Sequence, residues 1–330
     1  MLKDAMTGFE LYRPTDLDTA IDILTRHRGN AWVLAGGYDS LDWFKERVRT
    51  PGVVVDLEGI EELRGIREID GGGLEIGATT TLTDLERHPQ VRGRFGLLAD
   101  AARRVASPQI RNAGTLGGNV CQDTRCWYYR YGVSCYRAGG NTCYAAAPEA
   151  MNREHAIYGA SRCVAVSPSD TAPALVALDA EMVVRSARGE RVIEAGDFFM
   201  EPSVDIRRMT VLEPGDVLVS IRLPGRWAGA DFRFEKVADR ATWDFALVSV
   251  ASAFRMDGAT IADARIVCGA VQCVPRRLRS VERRVAGQTR TEEVALAAGA
   301  LAVADAEPLA FNGYKVPLVQ NLVKRAVLGA

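Results

Sequence analysis

Five of the seven cysteines in this chain lie between Cys121 and Cys163, directly after the glycine-rich run from Arg111 to Val120. Glycines let backbone N–H groups approach an anion closely, and clustered thiolates are metal ligands. An anion-binding loop joined to a thiol cluster indicates electron transfer or cofactor binding. The alternative, that the cysteines are unrelated buried residues, is disfavoured by their clustering.

Charge and hydropathy exclude several classes of function. The formal net charge is −1, which gives no electrostatic basis for binding nucleic acid or an anionic membrane surface. No apolar run approaches the roughly 18–20 residues that a membrane span needs. The first 14 residues, MLKDAMTGFELYRP, have no apolar h-region. We therefore expect a cytoplasmic protein whose cysteines serve thiol or metal chemistry rather than disulfides.

Hydrophobic periodicity predicts an α+β chain. A helix is expected over 14–28, capped by Thr15 or Asp16, and a hairpin joins strands over 181–185 and 190–193. Strands between about 230 and 271 precede helices near 277–286, 291–304 and 314–328, and strands followed by helices are typical of α+β domains. The predicted domains are 1–60, 61–225 and 226–330.

Two glycine motifs and one acidic residue are candidates for cofactor contacts. Ala35 to Ser40 follows a predicted strand, but it fits neither common nucleotide-binding consensus, and an ordinary tight turn explains it equally well. In the second motif, Gly114 to Asn119, Thr115 and Asn119 offer polar groups to a phosphate or ribose. Asp170 could accept a hydrogen bond from a cofactor, although its spacing favours a cap on the following helix.

The order of several motifs resembles the FAD-binding medium subunit of molybdenum hydroxylases, the group of the xanthine dehydrogenase and carbon monoxide dehydrogenase families. The resemblance covers nearly the whole chain. The motifs are LAGGYDSL (34–41), GATTTLTDLE (77–86), IRNAGTLGGNV (110–120), SDTAPALVAL (169–178), FEKVADRATWDFALVSVA (234–251), CGAVQCVPRRLRSVE (268–282) and YKVPLVQNLVKRAVL (314–328).

This resemblance implies a fold of the vanillyl-alcohol-oxidase (PCMH) type, with two α+β subdomains enclosing FAD. A C-terminal α+β domain of the CO dehydrogenase flavoprotein type would follow. No catalytic residue is implied, as suits a relay subunit. Tyr38 stands where we expect a small polar residue. The implied FAD-binding residues are Ala35, Gly36, Gly37, Tyr38, Asp39, Ser40, Thr79, Thr80, Thr115, Gly118, Asn119, Asp170 and Lys236.

The spacing of the clustered cysteines does not identify a metal. Their intervals are x4, x8, x7 and x19, so only Cys121 and Cys126 resemble a zinc knuckle, and short ferredoxin spacing is absent. An iron–sulfur cluster, zinc and no metal all remain open on spacing alone. His155 is a further possible ligand, although an exposed loop position is the simpler interpretation.

The insert itself resembles one branch of the family. Medium subunits commonly pass quickly from GGN to the S-x-D element, whereas here 47 residues, 120–166, intervene. Its start, CQDTRCWYY, resembles the β subunit of 4-hydroxybenzoyl-CoA reductase. This implies a 4Fe–4S cluster on Cys126, Cys135, Cys143 and Cys163, with Cys121 packed as a small hydrophobic residue.

The resemblance also implies partners and a direction of electron flow. Electrons would pass from ferredoxin or a similar donor through 4Fe–4S and FAD to 2Fe–2S clusters on a small subunit. A large subunit would hold the molybdenum cofactor and reduce 4-hydroxybenzoyl-CoA, in a dimer of heterotrimers. Two alternatives stay open: a medium subunit of an oxidising hydroxylase acting on a purine or other N-heterocycle, and a zinc-stabilised assembly module without flavin.

Overall fold

The computed structural model describes residues 5–329 and has the predicted α+β composition. The division into domains near 60 and 225 stays a prediction. The strands in this range are β1 (Glu10–Tyr12), β2 (Ala31–Leu34), β3 (Val53–Asp56), β4 (Ile66–Ile69), β5 (Gly73–Gly77), β6 (Glu181–Ser186), β7 (Gly189–Glu194), β8 (Val217–Leu223), β9 (Asp231–Val237), β10 (Val248–Asp257), β11 (Thr260–Gly269) and β12 (Arg276–Arg277).

Helices cover the faces of three sheets. They are α1 (Leu17–Arg26), α2 (Tyr38–Lys45), α3 (Leu82–Arg87), α4 (Pro89–Arg94), α5 (Gly96–Arg103), α6 (Pro108–Arg111), α7 (Leu116–Val120), α8 (Trp127–Arg130), α9 (Thr171–Ala177), α10 (Ala195–Phe198), α11 (Arg279–Val285), α12 (Glu292–Ala302) and α13 (Lys315–Leu328). The helices predicted near 277–286, 291–304 and 314–328 are thus confirmed, with ends that differ by at most two residues.

The first sheet is parallel, with strand order β1-β3-β2. Helix α1 buries Leu17, Ala20 and Leu24 in the core that it shares with β3. Its predicted cap is Asp16, whose carboxylate accepts the N–H of Thr19 at 2.8 Å. Strand β2 leads directly into the first glycine loop, so this sheet fixes the position of that loop.

The second sheet is antiparallel, with strand order β4-β5-β8-β6-β7, and it includes the predicted hairpin of β6 and β7. Helices α3, α5 and α9 share its apolar core. Thr81 caps α3, because its hydroxyl accepts the N–H of Asp84 at 3.1 Å and donates to the Asp84 carboxylate at 2.7 Å.

The third sheet is antiparallel, with strand order β12-β11-β10-β9, and it packs against α11, α12 and α13. A turn at Asp257 and Gly258 joins its two long strands. Within the described part of the chain, no helix is long and apolar enough to cross a membrane.

The insert over 120–166 has little regular structure, yet its end is held against the C-terminal domain by buried polar side chains. Asn312 donates to the carbonyls of His155 and Ala156, both at 3.0 Å, and it accepts the N–H of Leu309. Lys315 is fully buried and donates to the carbonyls of Glu154 and Ala270. The insert is therefore integral to the folded body.

Replacing Asn312 by Leu should lower the free energy of unfolding by about 2–4 kcal/mol, because it leaves buried backbone groups without partners. The matched control is Asn321→Leu on the exposed surface of α13. This substitution should change the free energy of unfolding by about 0.5 kcal/mol or less. Chemical denaturation of both variants gives the comparison. If the Asn312 and Asn321 variants lose the same free energy of unfolding, the buried contacts of Asn312 do not hold the insert.

Candidate cofactor site

A cavity of about 640 Å³ lies between the two glycine loops. Cavities of this size are typical of cofactor sites. The sequence-predicted residues that line it are Ala35, Gly36, Tyr38, Asp39, Ser40, Thr79, Thr115, Gly118 and Asn119. The structure thus brings both glycine motifs to one cavity, although they are about 80 positions apart in the sequence.

The first loop needs its glycines for two physical reasons. Gly36 and Gly37 have φ of 74° and 79°, in the left-handed region that glycine favours. A Cβ atom on Gly36 would also lie 2.3 Å from the carbonyl oxygen of Ala113, which precedes the second loop. The two loops therefore pack backbone against backbone.

Helix α2 begins at this cavity, with Gly37 as its N-cap. Its first intrahelical bond joins the N–H of Leu41 to Gly37 O at 2.9 Å, so the N–H groups of Tyr38, Asp39 and Ser40 have no acceptor within the helix. Such groups suit an anionic ligand. The Tyr38 ring is about half exposed beside them.

The side chains of Asp39 and Ser40 are already engaged by protein. Asp39 accepts hydrogen bonds from Trp43 Nε1 at 3.1 Å, from Arg125 at 2.9 Å and from Arg130 at 2.7 Å. Ser40 Oγ accepts the indole N–H of Trp32 at 2.9 Å. At these two positions the backbone, rather than the side chain, is available to a ligand.

In the second loop, Thr115 caps α7 by accepting the N–H of Gly118 at 3.0 Å. Asn119 Oδ1 accepts the hydroxyls of Ser169 and Thr171, at 2.7 and 2.6 Å. The Asn119 side chain thus joins this loop to the start of α9.

The two expected threonines have different positions. Thr79 donates to the Leu63 carbonyl at 2.8 Å and lines the cavity. Thr80 donates to the Gly65 carbonyl at 3.1 Å and is not among the lining residues. Thr80 therefore supports the wall of the cavity without facing the cavity.

Asp170 and Lys236 form a buried ion pair, 2.5 Å apart, outside the main cavity. Asp170 does not cap α9, so that expectation is wrong; Ser169 Oγ accepts the N–H of Ala172 at 3.0 Å instead. Burial raises the pKa of Asp170 to about 6, although the Lys236 ammonium opposes this change. Asp170 lines a second cavity of about 90 Å³.

Cys126 packs against two apolar clusters, one that contains Cys135 and one that contains Cys163. Burial raises the pKa of Cys126 to about 12, and the nearby thiols of Cys163 and Cys143 contribute to that rise. Burial also raises the pKa of Cys163, with smaller contributions from Cys143 and Cys135. That these four cysteines hold one cluster stays a prediction. Among residues 5–329, however, no three His, Cys, Asp or Glu side chains converge as ligands of one metal ion.

The backbone groups of Tyr128 and Tyr129 lower the pKa of Cys126, and that of Ala165 lowers the pKa of Cys163, but burial has the larger effect on both thiols. All seven cysteines are free thiols. Cys121 lines the main cavity as an exposed residue, but burial of its thiol raises the pKa of Cys121 to about 12, so its packing as a small hydrophobic residue stays a prediction.

His155 is buried, so the expectation of an exposed loop position is wrong. Its Nε2 lies 3.3 Å from Cys126 Sγ. Burial lowers the pKa of the ring to about 4, with a further contribution from Lys315, so the imidazole is neutral at pH 7. The apolar residues that follow it, Ala156 and Ile157, were a sequence signal for this burial.

Three arginines of the insert were not identified from the sequence. Arg125 and Arg130 each pair with Asp39 and Asp42, at 2.7–3.1 Å, and the Arg130 guanidinium lies 3.6 Å from the centroid of the Trp43 ring. The third, Arg137, is buried and pairs with Asp123 at 2.8 Å. The first two attach the insert directly to the first glycine loop.

Replacing Gly36 by Ala should remove most of the FAD that the resemblance predicts, because the methyl group would collide with the Ala113 carbonyl. The matched control is Gly258→Ala, also at positive φ (58°) but with nothing within 4 Å, and it should retain FAD. FAD per chain is measured by absorbance after denaturation. Normal FAD content in the Gly36 variant would contradict this geometry.

Asp39→Ala should lower the free energy of unfolding by about 2–3 kcal/mol, because the buried Arg130 loses its nearer carboxylate and keeps only that of Asp42. Asp42→Ala removes a carboxylate that is 42% exposed and should cost about 1 kcal/mol or less. Urea denaturation compares the two. A smaller loss for Asp39 than for Asp42 would show that the ion pair is not the anchor.

Comparisons with known proteins agree with this architecture. Residues 7–226 match the family model for the FAD binding domain in molybdopterin dehydrogenase, and residues 233–330 match that for the CO dehydrogenase flavoprotein C-terminal domain. The aldehyde oxidoreductase FAD-binding subunit PaoB of Escherichia coli is 36% identical over 297 residues, which is 87% of each chain. The carbon monoxide dehydrogenase medium chain of Hydrogenophaga pseudoflava is 32% identical over 327 residues, 98% of this chain and 96% of that one.

A solved structure gives the same result for the fold. The carbon monoxide dehydrogenase from Hydrogenophaga pseudoflava that lacks the Mo-pyranopterin moiety of the molybdenum cofactor superposes with a TM-score of 0.79 at 30% identity. The superposition covers 99% of this chain and 98% of that one, which confirms the fold that the motifs implied. The chain therefore belongs to the FAD-binding medium subunits of the molybdenum hydroxylase family, and it is an oxidoreductase subunit.

Proposed function

We propose that this chain relays electrons through FAD and a 4Fe–4S cluster within a molybdenum hydroxylase complex. The observation that carries the proposal is the packing of Cys126 against the apolar clusters of both Cys135 and Cys163, in an insert that is attached to the first glycine loop. The proximity of Cys143 to these thiols is consistent with it. A cluster bound there would lie in the same folded body as the flavin site.

The main cavity suits FAD. The free N–H groups at the start of α2 and the glycines before it would hold the pyrophosphate, where the helix dipole favours negative charge. Bound FAD would exchange electrons either singly or in pairs. The residues proposed to contact it are Ala35, Gly36, Gly37, Tyr38, Asp39, Ser40, Thr79, Thr115, Gly118 and Asn119.

The remaining three predicted residues act from outside this cavity. Thr80 fixes the wall through Gly65. Lys236 holds Asp170 and also donates to the carbonyls of Arg104 and Asp244. We propose that this pair fixes the start of α9, which Asn119 joins to the second glycine loop.

The thiol group suits a cluster better than a single zinc ion. Zinc requires ligands within about 2.3 Å of one point, and the described residues contain no such set. A cubane places iron and sulfide between its four cysteines, so these stand further apart, and N–H donors to their sulfurs are usual. A zinc module without flavin is moreover inconsistent with membership of a FAD-binding family.

The partners follow from the family. The relative from Hydrogenophaga pseudoflava is a medium chain, and a medium chain implies larger and smaller companions. We propose a large subunit with the molybdenum cofactor and a small subunit with 2Fe–2S clusters, in a dimer of heterotrimers. The 4Fe–4S cluster would exchange electrons with ferredoxin or a similar one-electron carrier.

For the substrate, we propose oxidation of an aldehyde on the large subunit, supported by the 36% identity to an aldehyde oxidoreductase subunit. Reduction of 4-hydroxybenzoyl-CoA stays a prediction, as does oxidation of a purine or other N-heterocycle. An activity assay of the complete complex with each substrate distinguishes these three reactions. Electron transfer from an aromatic aldehyde to oxidised ferredoxin supports the proposal, whereas activity only with the thioester or only with a purine contradicts it.

Replacing Cys135 or Cys143 by Ser should remove the iron and sulfide of one cluster from the complex while FAD is retained. The matched control is Cys121→Ser, because Cys121 lies in the same segment but faces the main cavity. Iron, acid-labile sulfide and FAD are measured per complex. Unchanged iron in both variants, or equal loss in the control, would contradict the ligand assignment.

A further inference from the structure

The imidazole of His155 makes one polar contact among residues 5–329, and that contact is with a proposed cluster ligand. Nε2 lies 3.3 Å from Cys126 Sγ, within hydrogen-bond distance for sulfur. Nδ1 is buried and has no hydrogen-bond partner in the described chain. A buried ring whose only partner is a cysteine sulfur is unusual, because buried polar groups are normally satisfied.

The ring is held in place by the backbone around it. The His155 N–H donates to Asn152 O at 3.1 Å, and the His155 carbonyl accepts from Asn312 Nδ2 at 3.0 Å. Lys315 donates to the preceding carbonyl, that of Glu154, at 2.9 Å. The chain on both sides of the ring is therefore fixed, and the ring stays directed at Cys126.

The chemistry of the contact fixes which group donates. A cluster-bound cysteine is a thiolate, so its sulfur only accepts hydrogen bonds. A neutral imidazole carries one N–H, and Nε2 must carry it to serve this sulfur. Nδ1 is then the unprotonated nitrogen, and it is the atom that is buried without a partner in the described chain.

We infer that His155 is a positioning residue that donates Nε2–H to Cys126 and thereby raises the reduction potential of the cluster. The inference rests on the proposed function, since it needs a cluster on Cys126. Reduction adds negative charge that spreads onto the cysteine sulfurs, and an N–H donor stabilises that charge.

Three substitutions at this position, made in the complete complex, test the role. His155→Gln retains an amide N–H near the position of Nε2, whereas His155→Asn and His155→Leu lose it. His88→Leu is the matched control, because His88 makes no contact with a cysteine in the described chain. The readouts are iron content and the midpoint potential of the 4Fe–4S signal in an EPR-monitored redox titration.

The expected result is full iron in all four variants. The potential should shift to more negative values in the Asn and Leu variants and stay near the wild-type value in the Gln variant and the control. An unchanged potential in the Asn variant overturns the inference, as does loss of iron from both the Asn and Gln variants, which would make His155 a ligand. A wild-type complex without a 4Fe–4S signal instead overturns the proposed function, and this inference with it.

Discussion

The buried ion pair between Arg130 and Asp39 is the contact on which the arrangement of the site depends. It joins the cysteine insert to the first turn of α2, at the wall of the flavin cavity. Arg130 also lies over the ring of the fully buried Trp43, which removes water from around the pair. The buried guanidinium of Arg130 binds two carboxylates of α2, the nearer being that of Asp39, so the insert and the loop are fixed as a unit.

This anchoring has a consequence for electron transfer. An insert with little regular structure would move if only its own short helices held it, and the distance between its cysteines and the flavin cavity would then vary. Here it is held at one end by Asp39 and Asp42 and at the other by Asn312 and Lys315. Both attachments are buried or half-buried, so the thiol group keeps one position relative to the glycine loops.

Much of the fold followed from local patterns in the sequence. Helix periodicity, the β6–β7 hairpin and the terminal helices depend on neighbouring residues, and they were predicted nearly to their ends. The grouping of Cys126, Cys135, Cys143 and Cys163 as cluster ligands came from resemblance rather than from spacing, and it stays a prediction. Motif order alone indicated that the two glycine loops share one cavity, because no local pattern relates positions 36 and 118.

What could not be predicted depends on long-range partners. Asp170 resembles a helix cap in sequence, but Lys236, which comes 66 residues later, binds its carboxylate. His155 resembles a loop residue, yet Asn312 donates a hydrogen bond to its carbonyl and holds its segment in the interior. Asp39 was assigned to the cofactor, whereas its carboxylate holds the arginines of the insert. In each case the sequence indicated a polar side chain with a role, but it did not indicate which distant residue would bind that side chain or its segment.

The central claim, that this flavin subunit carries a cluster of its own, is tested most directly by Mössbauer spectroscopy of the complete complex enriched in ⁵⁷Fe. The account predicts the spectrum of a four-iron cluster in addition to that of the two-iron clusters on the small subunit, and its absence when Cys143 is replaced by Ser. A wild-type spectrum that contains two-iron clusters alone would contradict it.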